Sequence, residues 1–146
     1  MHDIGKIAVP DIILQKQGAL TKEEYEIMKM HAKRGGEIIL DTFGRLDNKE
    51  YLKMAYRVAQ YHHEKWDGTG YPAGAKGEEI PLCARIMSIV DVFDAVSESR
   101  CYRVAMTLPE SFEVIRAGRG THFDPTIVDV FLSIRPKVEA IHRRVR

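Results

Sequence analysis

Leu52, Ala55, Ala59 and His62 follow one another at spacings of three, four and three, the period of one face of an α-helix. This stripe constrains the chain more than any other feature, because it ends on an imidazole and not on another apolar side chain. A helix is predicted over roughly Glu50 to His63, with Leu52, Ala55, Ala59 and His62 turned inward. His62 therefore points into the domain, and His63 leads directly into a run broken by glycine and proline. Two adjacent histidines in that position are hard to explain by packing alone, and imidazole is the commonest biological metal ligand.

The remaining segments read as further helices. Val9-Pro10-Asp11 interrupts the first segment, since proline lacks a donor and biases its predecessor away from helix. Thr21 and Glu24 form a capping-box pattern. The helix they open carries Tyr25, Met28, Ala32, Gly35 and Ile39 on an inward face, with His31 flanking it. Leu82, Ile86, Ile89, Val90, Phe93 and Val96 define a strongly apolar helix, with Asp91 and Asp94 one turn apart on its flank. Thr107 to Glu110 is a second capping pattern, with Gly118 at the far end of that helix. Asp124-Pro125 opens another helix, which runs to about Ile134. Between Glu64 and Pro81 glycines and prolines break regularity, leaving an irregular loop or a short hairpin around Gly68 to Ile80. The expected class is all-α, in one domain spanning residues 1–146.

A chain of 146 residues can bury a single core. Its formal charge of +1 creates no global field for DNA or an anionic membrane, so an anionic ligand must be captured locally. Apolar runs stay well short of the ~20 residues that span a bilayer, and no signal-peptide pattern opens the sequence. Cys83 and Cys101 show neither metal-type spacing nor a disulfide framework. The expected location is the cytoplasm.

Chemistry concentrates in a few positions. His2-Asp3 precedes Lys6 by one helical turn, and His31, His62, His63 and Asp91 complete a set of imidazoles and carboxylates. Such donors suit iron, manganese, zinc, cobalt or nickel, and a bridging carboxylate such as Asp3 would let two ions share one site. Ions of that kind lower the pKa of a bound water. Any one of these histidines reads more simply as a satisfied core residue; the set together reads as a metal site. Lys6 has two readings: a cation for charge developing on a phosphate, or a surface lysine paired with Asp3. The segment Asp67-Gly68-Thr69-Gly70-Tyr71-Pro72 is either a ligand-approach loop or a tight turn. Arg100 and Arg103 are either a phosphate or guanine clamp or a solvated basic turn. His122 and His142 are placed outside the site.

These pieces together closely resemble the HD-GYP family, phosphodiesterases of cyclic di-GMP within the HD hydrolase superfamily. The resemblance rests on His2-Asp3-Ile4-Gly5-Lys6, Lys29-Met30-His31 and the run from His62 to Pro72. It continues through Ile80 to Ile86, Val90 to Ala95 and His122 to Pro125. It implies an HD-type helical bundle holding two or three divalent ions, iron or manganese. The implied ligands are His2, Asp3, His31, His62, His63 and Asp91. Lys6 would contact the scissile phosphate, and Asp94, Arg100 and Arg103 would grip the dinucleotide. The implied reaction converts cyclic di-GMP to linear pGpG and then GMP.

Expected partners are diguanylate cyclases (GGDEF) or adaptor proteins at the Gly70-Tyr71-Pro72 loop. An upstream sensory or receiver domain in a longer protein is also expected. Family members carry helices before the His-Asp pair that add a ligand, so this sequence is expected to lack its N-terminal helices and part of one ligand shell. Arg100-Cys101-Tyr102-Arg103 stands where the family commonly has Arg-Pro-Tyr-Lys. The alternative reading is a non-catalytic module binding cyclic di-GMP or a protein.

Overall fold

A computed structural model describes residues 1–43, 49–98 and 104–145 of the chain. Among these residues it is all-α, with seven helices and two 3-10 turns. The first turn, Ile4–Ala8, stops at Val9, which is extended as the residue before Pro10. Then come α1 (Asp11–Leu14), α2 (Lys22–Phe43), α3 (Lys49–Tyr61), the turn Gly77–Glu79 and α4 (Leu82–Ser97). The series ends with α5 (Leu108–Ala117), α6 (Pro125–Ser133) and α7 (Arg135–Val145).

The expected caps form. Thr21 N–H donates to Glu24 Oε2 at 2.7 Å, and Glu24 N–H returns to Thr21 Oγ1 at 3.2 Å. Thr107 and Glu110 repeat the box at the start of α5. Two apolar centres follow from the helical stripes. Ile39, Leu52, Ala55 and Ala59 join α2 to α3. Ile89, Phe93, Phe112, Ile115, Phe123 and Val128 join α4, α5 and α6. The first stripe matches its expected face except at Tyr25, which is exposed. On α4 the outcome is split: Ile89, Phe93 and Val96 are buried, while Leu82, Ile86 and Val90 face outward beside Tyr51 and Met54. Ala84 and Ser88 complete the inward row of α4, so those three larger side chains are left on the other side.

The hairpin alternative for Gly68 to Ile80 is not what forms. The backbone donors a ladder would need are taken elsewhere. Ala73 and Ala75 N–H go to the Glu64 carboxylate at 2.6 and 3.0 Å. Trp66 and Asp67 N–H go to the carbonyls of His122 and Thr121. The segment is an irregular loop closed by the 3-10 turn. Helix α3 also ends at Tyr61, so His62 and His63 sit in the turn that follows it and not in its last turn.

Arg85 and Asp124 tie this loop region to α6. Arg85 Nη1 donates to Asp124 Oδ2 at 2.6 Å and Arg85 Nε to the Ile80 carbonyl at 2.9 Å. The guanidinium lies 5.8 Å from the Trp66 ring centre, making Trp66 a loop anchor. Asp124 Oδ1 meanwhile caps α6 through Thr126 and Ile127 N–H. Removing one partner of a buried ion pair strands the other charge, at ~3 kcal/mol or more. Asp124→Ala is expected to lose about 3 kcal/mol in urea unfolding. A loss below about 1 kcal/mol would show that the pair is not an anchor.

Candidate metal centre

Four elements deliver the candidate ligands. Asp3 leads into the first 3-10 turn, His31 sits mid-way along α2, His62 and His63 follow α3, and Asp91 lies on α4. The first turn can approach α2 because Gly5 packs directly on the α2 backbone: a Cβ built on Gly5 would lie 1.9 Å from the His31 carbonyl oxygen. That contact sets Asp3 against His31.

Asp3 Oδ1 is 3.5 Å from His31 Nε2 and 3.9 Å from His62 Nε2. Its other oxygen, Oδ2, lies 2.6 Å from Lys6 Nζ and 3.4 Å from His2 Nε2. His2 Nε2 in turn reaches Asp91 Oδ1 at 3.5 Å. The His62 and His63 ring centres are 4.0 Å apart, and His31 to His63 is 5.0 Å. Ligand atoms of Asp3, His31, His62 and His63 all lie within 4.8 Å of one another. Donors about 2.0–2.2 Å from a shared ion stand roughly 3–4 Å apart, so slight closure would let these four share one.

The hydrogen bonds at the back of the rings show how they are aimed. His31 Nδ1 donates to the Met28 carbonyl at 2.6 Å, and His62 Nδ1 to the carbonyls of Val58 and Ala59 at 3.0 Å. A carbonyl cannot donate, so both Nδ1 atoms carry the proton. Each Nε2 then presents a bare lone pair to the cluster, and both Nε2 atoms are buried without a partner. Buried polar atoms in that state need an explanation. A divalent cation supplies one.

The electrostatics agree. Burial pushes His63 down to about 3, reinforced by His62 and His31. Burial likewise lowers His31 and His62, so all three are neutral at pH 7, the form that binds metal. Asp3 moves the opposite way for a carboxylate in this setting. Burial raises it, but hydrogen bonds from His2 and Lys6 outweigh that and hold it well below its usual range. His2 rises to about 9 because of its hydrogen bonds to Asp3 and Asp91. Asp91 is lowered by His2. With no ion present, the His2 and Lys6 cations balance the two carboxylates.

The family model described as an HD domain matches residues 1–127, which include the His2-Asp3 pair and the histidines at 31, 62 and 63. The chain belongs to the HD-domain family. Among curated relatives, a cyclic di-GMP phosphodiesterase of Vibrio cholerae is 43% identical over 141 residues, covering 97% of this chain and 29% of the relative. A cyclic di-GMP phosphodiesterase of Thermotoga maritima is 40% identical over 144 residues, covering 99% of this chain and 38% of the relative. A Vibrio cholerae protein named 3'3'-cGAMP-specific phosphodiesterase 2 is 42% identical over 132 residues, covering 90% of this chain and 24% of the relative. The chain spans about a third of the length of these HD-domain relatives, or less.

The other candidate residues of this HD domain fall into three groups. Lys6 and Tyr71 adjoin the cluster. Lys6 is paired with Asp3, the plainer of its two sequence readings, and Tyr71 stacks on His63 with ring centres 4.9 Å apart and planes 28° apart. Gly70 has no room for a side chain, because a Cβ would lie 2.4 Å from Lys65 N, and Pro72 is exposed beside Tyr71. Asp94 stands apart: it is exposed, one turn beyond Asp91, and lines a separate cavity of about 280 Å³ with Phe93, Phe131 and His142. Arg100 and Arg103 lie outside the described residues. His122 stacks on Phe123 away from the cluster. Sequence reasoning passed over Glu64, which is only 2% exposed. Its one sequence signal is an acid placed directly after the histidine pair.

Proposed function

We propose that this chain is the phosphohydrolase unit of a metal-dependent cyclic-dinucleotide phosphodiesterase, acting on cyclic di-GMP to give pGpG and then GMP. The observation carrying the reading is the pair of buried, unpartnered Nε2 atoms on His31 and His62, aimed at Asp3. His2, Asp3, His31, His62, His63 and Asp91 would hold two or three divalent ions, with iron or manganese fitting the mixed imidazole and carboxylate donors. When bound, such ions supply Lewis acidity, which activates water and offsets phosphodiester charge.

The chain's own groups do the rest. The carbonyls of Met28, Val58 and Ala59 fix the tautomer of His31 and His62, so these rings need no proton shift before binding. Lys6 is held at the edge of the site by Asp3, where a phosphate oxygen can compete for its ammonium. Gly70, Tyr71 and Pro72 wall one side. Asp94, Arg100 and Arg103 would grip the rest of the dinucleotide.

We place this unit in a longer cytoplasmic signalling protein with a sensory or receiver domain, and place diguanylate cyclases or adaptors at the Gly70–Pro72 loop. No helix among the described residues is long and apolar enough to cross a membrane. A second substrate, 3'3'-cGAMP, is favoured by the relatives named for it, whose identity to this chain reaches 42%.

Metal content after anaerobic purification, followed by turnover assays on both dinucleotides, tests the reading. We expect two or more equivalents of iron or manganese per chain, and pGpG from cyclic di-GMP. Turnover of 3'3'-cGAMP alone would move the substrate assignment. Tight binding of cyclic di-GMP without turnover in any metal would make the chain a non-catalytic binding module.

A further inference from the structure

The three clustered histidines are not oriented in the same way. His31 and His62 are each locked by Nδ1 hydrogen bonds to backbone carbonyls. His63 has no ring hydrogen bond among the described residues. Its ring is fixed instead by an aromatic face, with Tyr71 stacked on it at 4.9 Å. Ligands to a metal need their rings held in the right plane, and here a stack replaces a hydrogen bond.

Stacking holds a ring only if the second ring is itself held, and Tyr71 lies on an irregular loop. What holds that loop is Glu64, the residue immediately after His63. It is buried, and its two carboxylate oxygens accept Ala73 N–H at 2.6 Å and Ala75 N–H at 3.0 Å. These two bonds close the loop just beyond Pro72. Gly70 lets the loop fold back on the 63–65 backbone, and Tyr71 N–H reaches the His63 carbonyl at 3.3 Å. On its far side Tyr71 meets Tyr25 edge-on at 6.4 Å and the Lys29 ammonium at 5.8 Å.

We infer that Glu64 is a positioning residue for the metal centre: it staples the Gly70–Pro72 segment so that Tyr71 holds the His63 ring in its ligand orientation. The inference rests on the metal-centre reading for its consequence but not for its geometry. Glu64 touches neither the ions nor the substrate in this scheme.

The test uses Glu64→Gln, Glu64→Asp, Tyr71→Ala, Tyr71→Phe and the Glu64→Gln/Tyr71→Ala double variant. Manganese or cobalt binding is measured by calorimetry, and the His63 ring signals by NMR on protein stripped of metal. Loss of an orienting partner typically weakens metal binding about 10–100-fold. That is the loss expected for Glu64→Gln and for Tyr71→Ala. Tyr71→Phe keeps the stack and should bind within about 2-fold of wild type, and the double variant should lose no more than the worse single one. Losses that multiply would mean two independent effects and overturn the inference. So would a Glu64→Gln protein with a lowered melting temperature but unchanged metal affinity.

If Glu64→Gln does not fold, Glu64→Asp keeps the charge and draws it back by one methylene, and the same comparisons apply. If wild-type protein binds no metal, the metal-centre reading fails by itself. The NMR arm then decides the geometry: His63 ring signals must move together in Glu64→Gln and Tyr71→Ala, and separate behaviour overturns the link.

Discussion

Under the proposed function, Asp3→Asn is expected to lower turnover of cyclic di-GMP by more than the ~100-fold typical of residues that merely orient metal ligands, with the far-UV helix signal unchanged. Among the described residues, Asp3 is the one side chain that reaches His2, Lys6, His31 and His62 at once. The amide has nearly the same size but no charge. It removes the negative centre that the clustered lone pairs surround, and it brings an N–H₂ group that can donate to a bare Nε2. A site filled by that hydrogen bond is closed to a cation. Lys6 also loses its partner and His2 keeps only Asp91, which leaves the positive charge less compensated where an ion would have to bind. The helices do not depend on this carboxylate, since its contacts are confined to the cluster and Lys6. Metal analysis, circular dichroism and a turnover assay on the same preparation check all three statements. Wild-type turnover in Asp3→Asn would remove the residue from the metal centre.

Much of this site could be read before any coordinates, for a physical reason. The Leu52–Ala55–Ala59–His62 stripe has one period, and a period fixes which way its last residue points. The His62 ring is indeed buried, although it sits in the turn just after α3. The capping boxes at Thr21 and Thr107 are equally local, because donor and acceptor lie three residues apart. Contacts between distant segments leave no such mark. Nothing in the spacing of Gly68 to Ile80 shows that Glu64 takes the donors of Ala73 and Ala75, and without that fact a hairpin was an equal reading. Nor does the α4 stripe tell Ile89, which is buried, from Ile86, which faces outward beside Tyr51 and Met54. One helical turn separates Asp94 from Asp91, yet a turn of helix rotates by a few tens of degrees beyond a full circle or short of it. Here that is enough to leave Asp94 exposed. The period of α2 turns Gly35 inward, but the glycine that this contact cannot do without lies thirty residues earlier, at Gly5.

Gly5→Ala is expected to abolish metal binding at the proposed centre without altering any of its candidate ligands. Gly5 is not in a left-handed conformation, so alanine suits its backbone; the obstacle is space. The added Cβ would lie 1.9 Å from the His31 carbonyl oxygen, 2.5 Å from Gly35 N and 2.8 Å from His31 C. All three are backbone atoms of α2, a 22-residue helix that cannot yield by the required amount without breaking its own hydrogen bonds. The five-residue turn Ile4–Ala8 is the weaker element. It is held together internally by a few hydrogen bonds such as Lys6 N–H to Asp3 O and Val9 N–H to Lys6 O, and against the rest of the molecule by the packing of Ile4 and Val9. The turn therefore gives way and carries His2, Asp3 and Lys6 with it. His31, His62 and His63 stay in place but lose the carboxylate that completes their set. Metal affinity should fall by more than ~100-fold, with activity lost as fully as in Asp3→Asn. Amide exchange should accelerate over residues 4–9 while α2 and α3 stay protected. Gly35→Ala is the control: its Cβ meets atoms at 3.3–3.5 Å, a tight but adjustable contact, and it should keep most of its metal. A Gly5→Ala protein that binds manganese like wild type would mean that the turn is not what brings Asp3 to the histidines.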